Sequence, residues 1–94
     1  MAKFPAMPLW TDAYLADTTH LTATQHGAFL LLLISMWRAK RQVLPNDDRL
    51  LAKYARLSLK QWTNVRPVIM PFFNDLGNVL SNDRLDDEYA FVQR

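Results

Sequence analysis

Between Ala28 and Trp37 the chain reads Ala-Phe-Leu-Leu-Leu-Leu-Ile-Ser-Met-Trp, an apolar run interrupted only by Ser35. Its start is marked just upstream. Thr22 and Gln25 have the Ser/Thr-x-x-Glu/Gln spacing of a capping box, in which each side chain accepts from the other residue's backbone N–H. The spacing predicts a helix over 22–37. A helix apolar all round cannot lie on a surface, so neighbouring elements are expected to sheathe most of its circumference. Spanning a bilayer takes about 20 apolar residues, so a run this short marks a buried core helix instead. Gly27 weakens the helix, and the expected return is the close approach of a neighbouring backbone.

The remainder of the 94 residues must therefore supply that sheath, and they suffice for a single domain, 1–94, with one modest core. Half of the residues are hydrophobic and only two are glycine, which favours a mainly α globule over a many-turned sandwich. Without cysteine, neither a disulfide framework nor a thiolate metal site is available. His20 and His26 lack ligand spacing, so no metal is expected. The first residues, Met1 to Pro5, lack the apolar core of a signal peptide, and a cytoplasmic protein without membrane contact is the expectation.

Charge is distributed unevenly. From Arg38 to Arg66 eight basic residues stand against two acidic ones, a net +6, whereas from Phe72 onward two basic residues meet five acidic ones, a net −3. A basic middle favours a polyanionic partner, although solvated helix surfaces produce the same count.

Taken in order, Phe4 to Leu9 contains two prolines and is expected to be extended. Thr11 is read as the cap of a short helix through Asp17, with Trp10, Tyr14 and Leu15 as its apolar face and Trp10 and Tyr14 as lids over the central helix. Arg38, Lys40 and Arg41 fall near that helix's C-terminus, where cations suit the dipole. Gln42 to Leu44 reads as a short strand before Pro45. Asn46 or Asp47 caps a helix whose buried stripe is Leu50, Leu51, Tyr54 and Leu57. Arg49, Lys53 and Arg56, at i, i+4 and i+7, form a basic edge on another side of it. Ser58 and Gln61 repeat the capping-box spacing and open a third helix, after a joint so short that the two helices must cross steeply. Trp62, Val65 and Ile69 face the core there, and Lys60, Thr63 and Asn64 face outward. Pro67 is expected to kink or end that helix. Phe72 to Asn74 and Val79 to Ser81 flank a Gly- and Asn-bearing turn, the pattern of a small β-hairpin. Asn82 or Asp83 caps a last helix with Leu85, Tyr89 and Val92 on one face and Phe91 off it. This order is that of a winged helix-turn-helix with a hairpin wing and a C-terminal helix.

Several of these residues also resemble the YdaU-like family of phage and prophage proteins. They are Asp17 to Thr22, Gln25 to Phe29, Trp37, Leu44-Pro45 before Asp47-Asp48, and Trp62 ahead of Val65-Arg66-Pro67. Phe72-Phe73, Asn82 and Arg84 to Asp86 complete the set, which spans nearly the whole chain. The resemblance implies a winged-helix fold like the N-terminal domains of phage replication initiators and organisers. Gln25 and Phe29 replace the Glu and Tyr common in the family, swaps that preserve capping and packing. Larger family members continue past the position where this chain ends.

No catalytic constellation is legible. Asp86, Asp87 and Glu88 point in different directions on a helix, and there is no Gly-rich phosphate loop. A non-enzymatic protein without cofactors is expected. The first functional reading is binding of double-stranded DNA. Lys60, Thr63 and Asn64 lie where a recognition helix would present them to base edges, and Arg49, Lys53, Arg56 and Arg66 would hold phosphates. The hairpin tip, bearing Asp75 and no base, suits phosphate poorly. The second reading is a phage-encoded adaptor or inhibitor of a host replication or anti-phage defence (CRISPR-type) complex, contacted through the basic edge with Phe91 and Tyr89, or through an acidic tail that imitates a phosphate backbone. A third is a homodimer through the last helix.

Overall fold

The structure, a computed structural model, describes residues 4–93. Met1 to Lys3 and Arg94, which enter the leader-peptide reading and the C-terminal charge count, lie outside the described residues. Five helices and a small three-stranded antiparallel sheet make up the described chain: α1 (Thr11–Asp17), α2 (Ala23–Arg38), β1 (Leu44–Pro45), α3 (Asp48–Tyr54), α4 (Leu59–Ile69), β2 (Asn74–Asp75), β3 (Val79–Ser81) and α5 (Asp83–Gln93). Among the described residues no helix is long and apolar enough to cross a membrane.

The capping box at the start of α2 forms in both directions: Gln25 N–H donates to Thr22 Oγ1 at 3.2 Å and Thr22 N–H to Gln25 Oε1 at 2.8 Å. Leu32 and Met36 are fully buried, and Ala28, Phe29, Leu33 and Trp37 nearly so. The sheath is incomplete, however. Leu31 is half-buried and Ile34 is 43% exposed, so one strip of the helix meets solvent. Gly27 lies at the head of that strip, and a Cβ built on it would meet nothing within 4 Å. The expected close backbone approach is therefore absent.

On the closed side, Tyr14 of α1 stacks on Phe29 with ring centroids 5.9 Å apart and shares a 2.9 Å hydrogen bond with His26 Nδ1. Trp10 is not a core lid. It is 60% exposed, serves as the N-cap residue of α1 and donates its indole N–H to Glu88 of α5. Thr11 is thus the first helical residue rather than the cap, and no side chain caps α1. Tyr89 of α5 packs edge-on against Trp37 and tilted against Phe4, both at 5.2 Å. Asn82 caps α5 by accepting from Leu85 N–H and ties it inward by donating to the carbonyl of Phe72.

Past α2 a tight turn at Lys40–Gln42 holds Arg41 and Gln42 in left-handed geometry, φ 59° and 54°. The predicted strand therefore starts later, at Leu44. Asp47 caps α3 by accepting from Arg49 and Leu50 N–H. Only Leu51 and Ala52 of that short helix are buried; Leu50, expected inside, is 39% exposed. Pro67 does not end α4, which continues to Ile69. Thr63 and Pro67 both lie on the solvent side, so water can take the Thr63 carbonyl that proline leaves without a donor. Phe72 and Phe73 are not strand residues: they close on Phe29 at 4.7 and 5.6 Å, and the strand begins at Asn74. The sheet order is β1-β3-β2, with Leu44 opposite Leu80 and Asn74 opposite Ser81. Gly77, at φ 91°, supplies the left-handed turn of the hairpin.

Candidate nucleic-acid interface

Asp48, at the first turn of α3, fixes how α4 lies. Its Oδ1 accepts the indole N–H of Trp62 at 2.9 Å and the Arg66 guanidinium at 2.7 Å. Arg66 extends a second donor to Asn46 Oδ1 at 2.9 Å, and Asn46 in turn donates to the carbonyl of Gly77 at 3.0 Å. One polar relay thus runs from α4 through the start of α3 to the hairpin tip. The indole bond, followed by the Arg66 charge, holds the Asp48 carboxyl below its ordinary pKa despite some burial. Arg66, expected to grip phosphate, is engaged inside this clamp with a quarter of its side chain exposed.

Trp62, Val65 and Ile69 seat α4 on the core as the spacing predicts, and Ser58 and Gln61 cap it in both directions. Lys60, Thr63 and Asn64 consequently share the exposed side. The Thr63 hydroxyl donates to the carbonyl of Leu59, while Lys60 and Asn64 make no side-chain hydrogen bond or ion pair to the described residues. Their polar groups are available to something outside the chain.

The predicted basic edge divides. Arg49 and Lys53, one turn apart on α3, are exposed and unpaired among the described residues. Arg56 is not on the helix. Its N–H bonds to the carbonyl of Lys53 and that of Leu57 to Ala52, the pair of bonds that defines a Schellman ending, with Arg56 left-handed at φ 62° where glycine is usual. This turn brings Arg56 beside Lys53 at the rim of an open groove of about 450 Å³ between α2 and α3. Its floor includes Leu31 and Ile34, and Arg38 completes a cationic rim. Among the described residues only Arg66 and Arg84 form ion pairs, the latter with Asp17 at 3.4 Å.

Leu31, Ile34 and Arg38 escape the sequence reading, which assigns the first two to the core and the third to the helix dipole. A signal exists: Gly27, Leu31, Ile34 and Arg38 follow one another at i, i+4, i+7 and i+11, a helical strip that begins in glycine and ends in a charge. Of the two residues expected at a protein interface, Phe91 is 62% exposed, whereas Tyr89 is occupied by Trp37 and Phe4. Asp86, beside it, has its carboxyl pKa raised, first by burial and then by the charges of Asp83 and Asp87. Among the described residues no three His, Cys, Asp or Glu side chains are grouped to hold a metal.

Residues 5–90 match the model of a family described as "Protein of unknown function (DUF1376)". The chain is 40% identical over 93 residues to "Uncharacterized protein YdaU" of Escherichia coli (strain K12), an alignment that takes in 99% of this chain and 32% of the relative. The chain thus spans about a third of the length of the curated relative it matches. No solved structure matches it.

Proposed function

The chain belongs to the DUF1376 family, of which YdaU is a relative, and on that premise we propose that it is a non-enzymatic, winged-helix module that binds double-stranded DNA. The observation that carries this reading is the outward face of α4. Lys60 and Asn64 stand there without internal partners, on a helix whose pose is fixed by the Asp48 clamp. Arg49 and Lys53 of α3 are likewise exposed and without ion-pair partners among the described residues. The element order and the joining of β1 to the hairpin through β3 support the winged-helix assignment. In such a docking α4 enters the major groove, Asn64 reads adenine, Lys60 reads guanine or phosphate, and the α3 cations position the domain. The resemblance described above adds a role in phage replication or regulation to this proposal.

A Lys53→Ala, Arg56→Ala, Lys60→Ala variant tests it. All three side chains are exposed, so the fold is retained while duplex affinity is lost. Unchanged affinity at moderate salt contradicts the reading.

The apolar floor of the α2–α3 groove favours a second reading, in which the partner is a protein with an acidic, apolar segment, such as a host replication or defence component. Duplex binding through several phosphates falls steeply with salt, whereas a contact dominated by apolar burial does not.

A further inference from the structure

The basic groove between α2 and α3 and the acidic trough between α1 and α5 are distinct surfaces of the chain. Leu31, Ile34 and Arg38 of α2 line the groove shared with α3. Phe29 and Trp37 of the same helix instead contact Tyr14 of α1 and Tyr89 of α5. At 3.6 residues per turn Phe29 falls on the side of α2 opposite the groove, whereas Trp37 lies about a quarter-turn from it, and Arg38 also shares a cleft with Trp37 and Tyr89. In the folded chain Asp83 and Asp87 line a trough with α1 rather than the groove with α3.

That acidic face complements the groove in both charge and shape. Asp83 and Asp87 line a shallow open trough between α1 and α5, and Phe91 follows one turn beyond Asp87 with 62% of its surface exposed. Arg84, the cation in that trough, is paired with Asp17. An exposed aromatic one turn after a carboxylate mirrors Ile34 one turn before Arg38. Laid antiparallel to α2, a helix with this face places Phe91 over Leu31 and Ile34 and Asp87 beside Arg38. Asp83, one turn earlier, accepts from Asn74 of its own chain at 2.6 Å. Three cations at the rim, Arg38, Lys53 and Arg56, have no ion-pair partner among the described residues.

From this we infer that the α2–α3 groove is the docking site for helix α5 of a second copy of the chain. Groove and helix are different surfaces, so the contact is heterologous: each copy offers one groove and one helix, and association is head-to-tail and open-ended unless it closes into a ring. A single short helix in a shallow groove buries little area, so the contact is weak and is observed at high protein concentration. Its charged part is screened by salt. The inference does not require the DNA reading, whose base-reading residues Lys60 and Asn64 lie on α4, although Lys53 and Arg56 serve both surfaces.

Sedimentation equilibrium of the whole chain without DNA, over a range of concentrations at low salt, tests it with two variants. Ile34→Asn/Arg38→Gln disables the groove, and Asp87→Asn/Phe91→Ser disables the helix. All four positions are exposed, so both variants keep the wild-type melting curve. The wild type is expected to rise in average mass above the monomer as concentration increases, and each variant to associate about tenfold or more weakly. An equimolar mixture of the two variants retains one intact groove and one intact helix, so it forms a 1:1 dimer and nothing larger. A wild type that stays monomeric throughout, or a mixture no more associated than its components, overturns the inference. Neither variant touches Lys60 or Asn64, so both keep their duplex affinity if the DNA reading holds, whatever the outcome here.

Discussion

Leu32 and Ile34 are separated by one residue on the same helix and belong to one apolar run. The fold distinguishes them: Leu32 is fully buried and Ile34 is 43% exposed. The difference arises from what lies on each side. Toward Leu32 and Met36 the helix is closed over by the rest of the core, whereas toward Ile34 its cover is α3, which runs only from Asp48 to Tyr54 and leaves a groove. An apolar residue on a core helix therefore has one of two roles, and only the neighbouring element decides which.

The sharpest way to break this comparison is to place a charge at each position. Leu32→Asp buries an unpaired carboxylate and is expected to cost at least ~4 kcal/mol, enough to unfold a domain of this size. Ile34→Asp is expected to stay within about 1 kcal/mol of wild type, because its side chain reaches water. Thermal melts of the two read this directly, and equal losses contradict the incomplete sheath.

A smaller effect is expected from the clamp. Asp48→Asn leaves the geometry but removes the charge that Trp62 and Arg66 address. The expected loss is ~1–2 kcal/mol, a value for charge-assisted bonds reduced for partial exposure. Because the clamp lowers the Asp48 pKa, its stabilisation is present above the ordinary carboxylate range and is lost as pH falls through the depressed folded value. The acid limb of stability against pH should be shallower in Asp48→Asn. An unchanged limb shows that the clamp does not couple to folding.

Smallest of all are two gains. Arg56→Gly relieves a left-handed non-glycine residue, and Gly27→Ala removes a glycine from a helix beside open space. Each is expected to stabilise by about 0.5–1 kcal/mol in a denaturant titration. If Arg56→Gly gains stability while weakening ligand binding, the arginine is held at that strained position for its side chain rather than for the turn.

These particulars also show where sequence reasoning succeeds. Both capping boxes and the core face of α4 are local patterns: Thr22 with Gln25, Ser58 with Gln61, and Trp62, Val65 and Ile69 at helical spacing. All appear as read. Legibility fails where a distant partner decides. Arg66 reads as a free cation because Asp48 is 18 residues away in sequence, and Trp10 reads as core because Glu88 is 78 away. Pro67 reads as a breaker because nothing local reveals that its missing bond faces water. Arg56 reads as helical because a Schellman ending without glycine leaves no mark in the residues themselves. The basic rim and its apolar floor are assembled from α2, the Arg56 turn and α3, so only the folded chain displays them.

The proposed role of α4 is to present Lys60 and Asn64 to a duplex from a fixed pose. Its most direct test is the salt dependence of duplex affinity for the wild type and for Lys60→Ala, plotted as log K against log salt. A steep wild-type slope, reduced by about one unit in Lys60→Ala, is the expected result. A wild-type slope near zero, or a Lys60→Ala line that overlays the wild type, contradicts it.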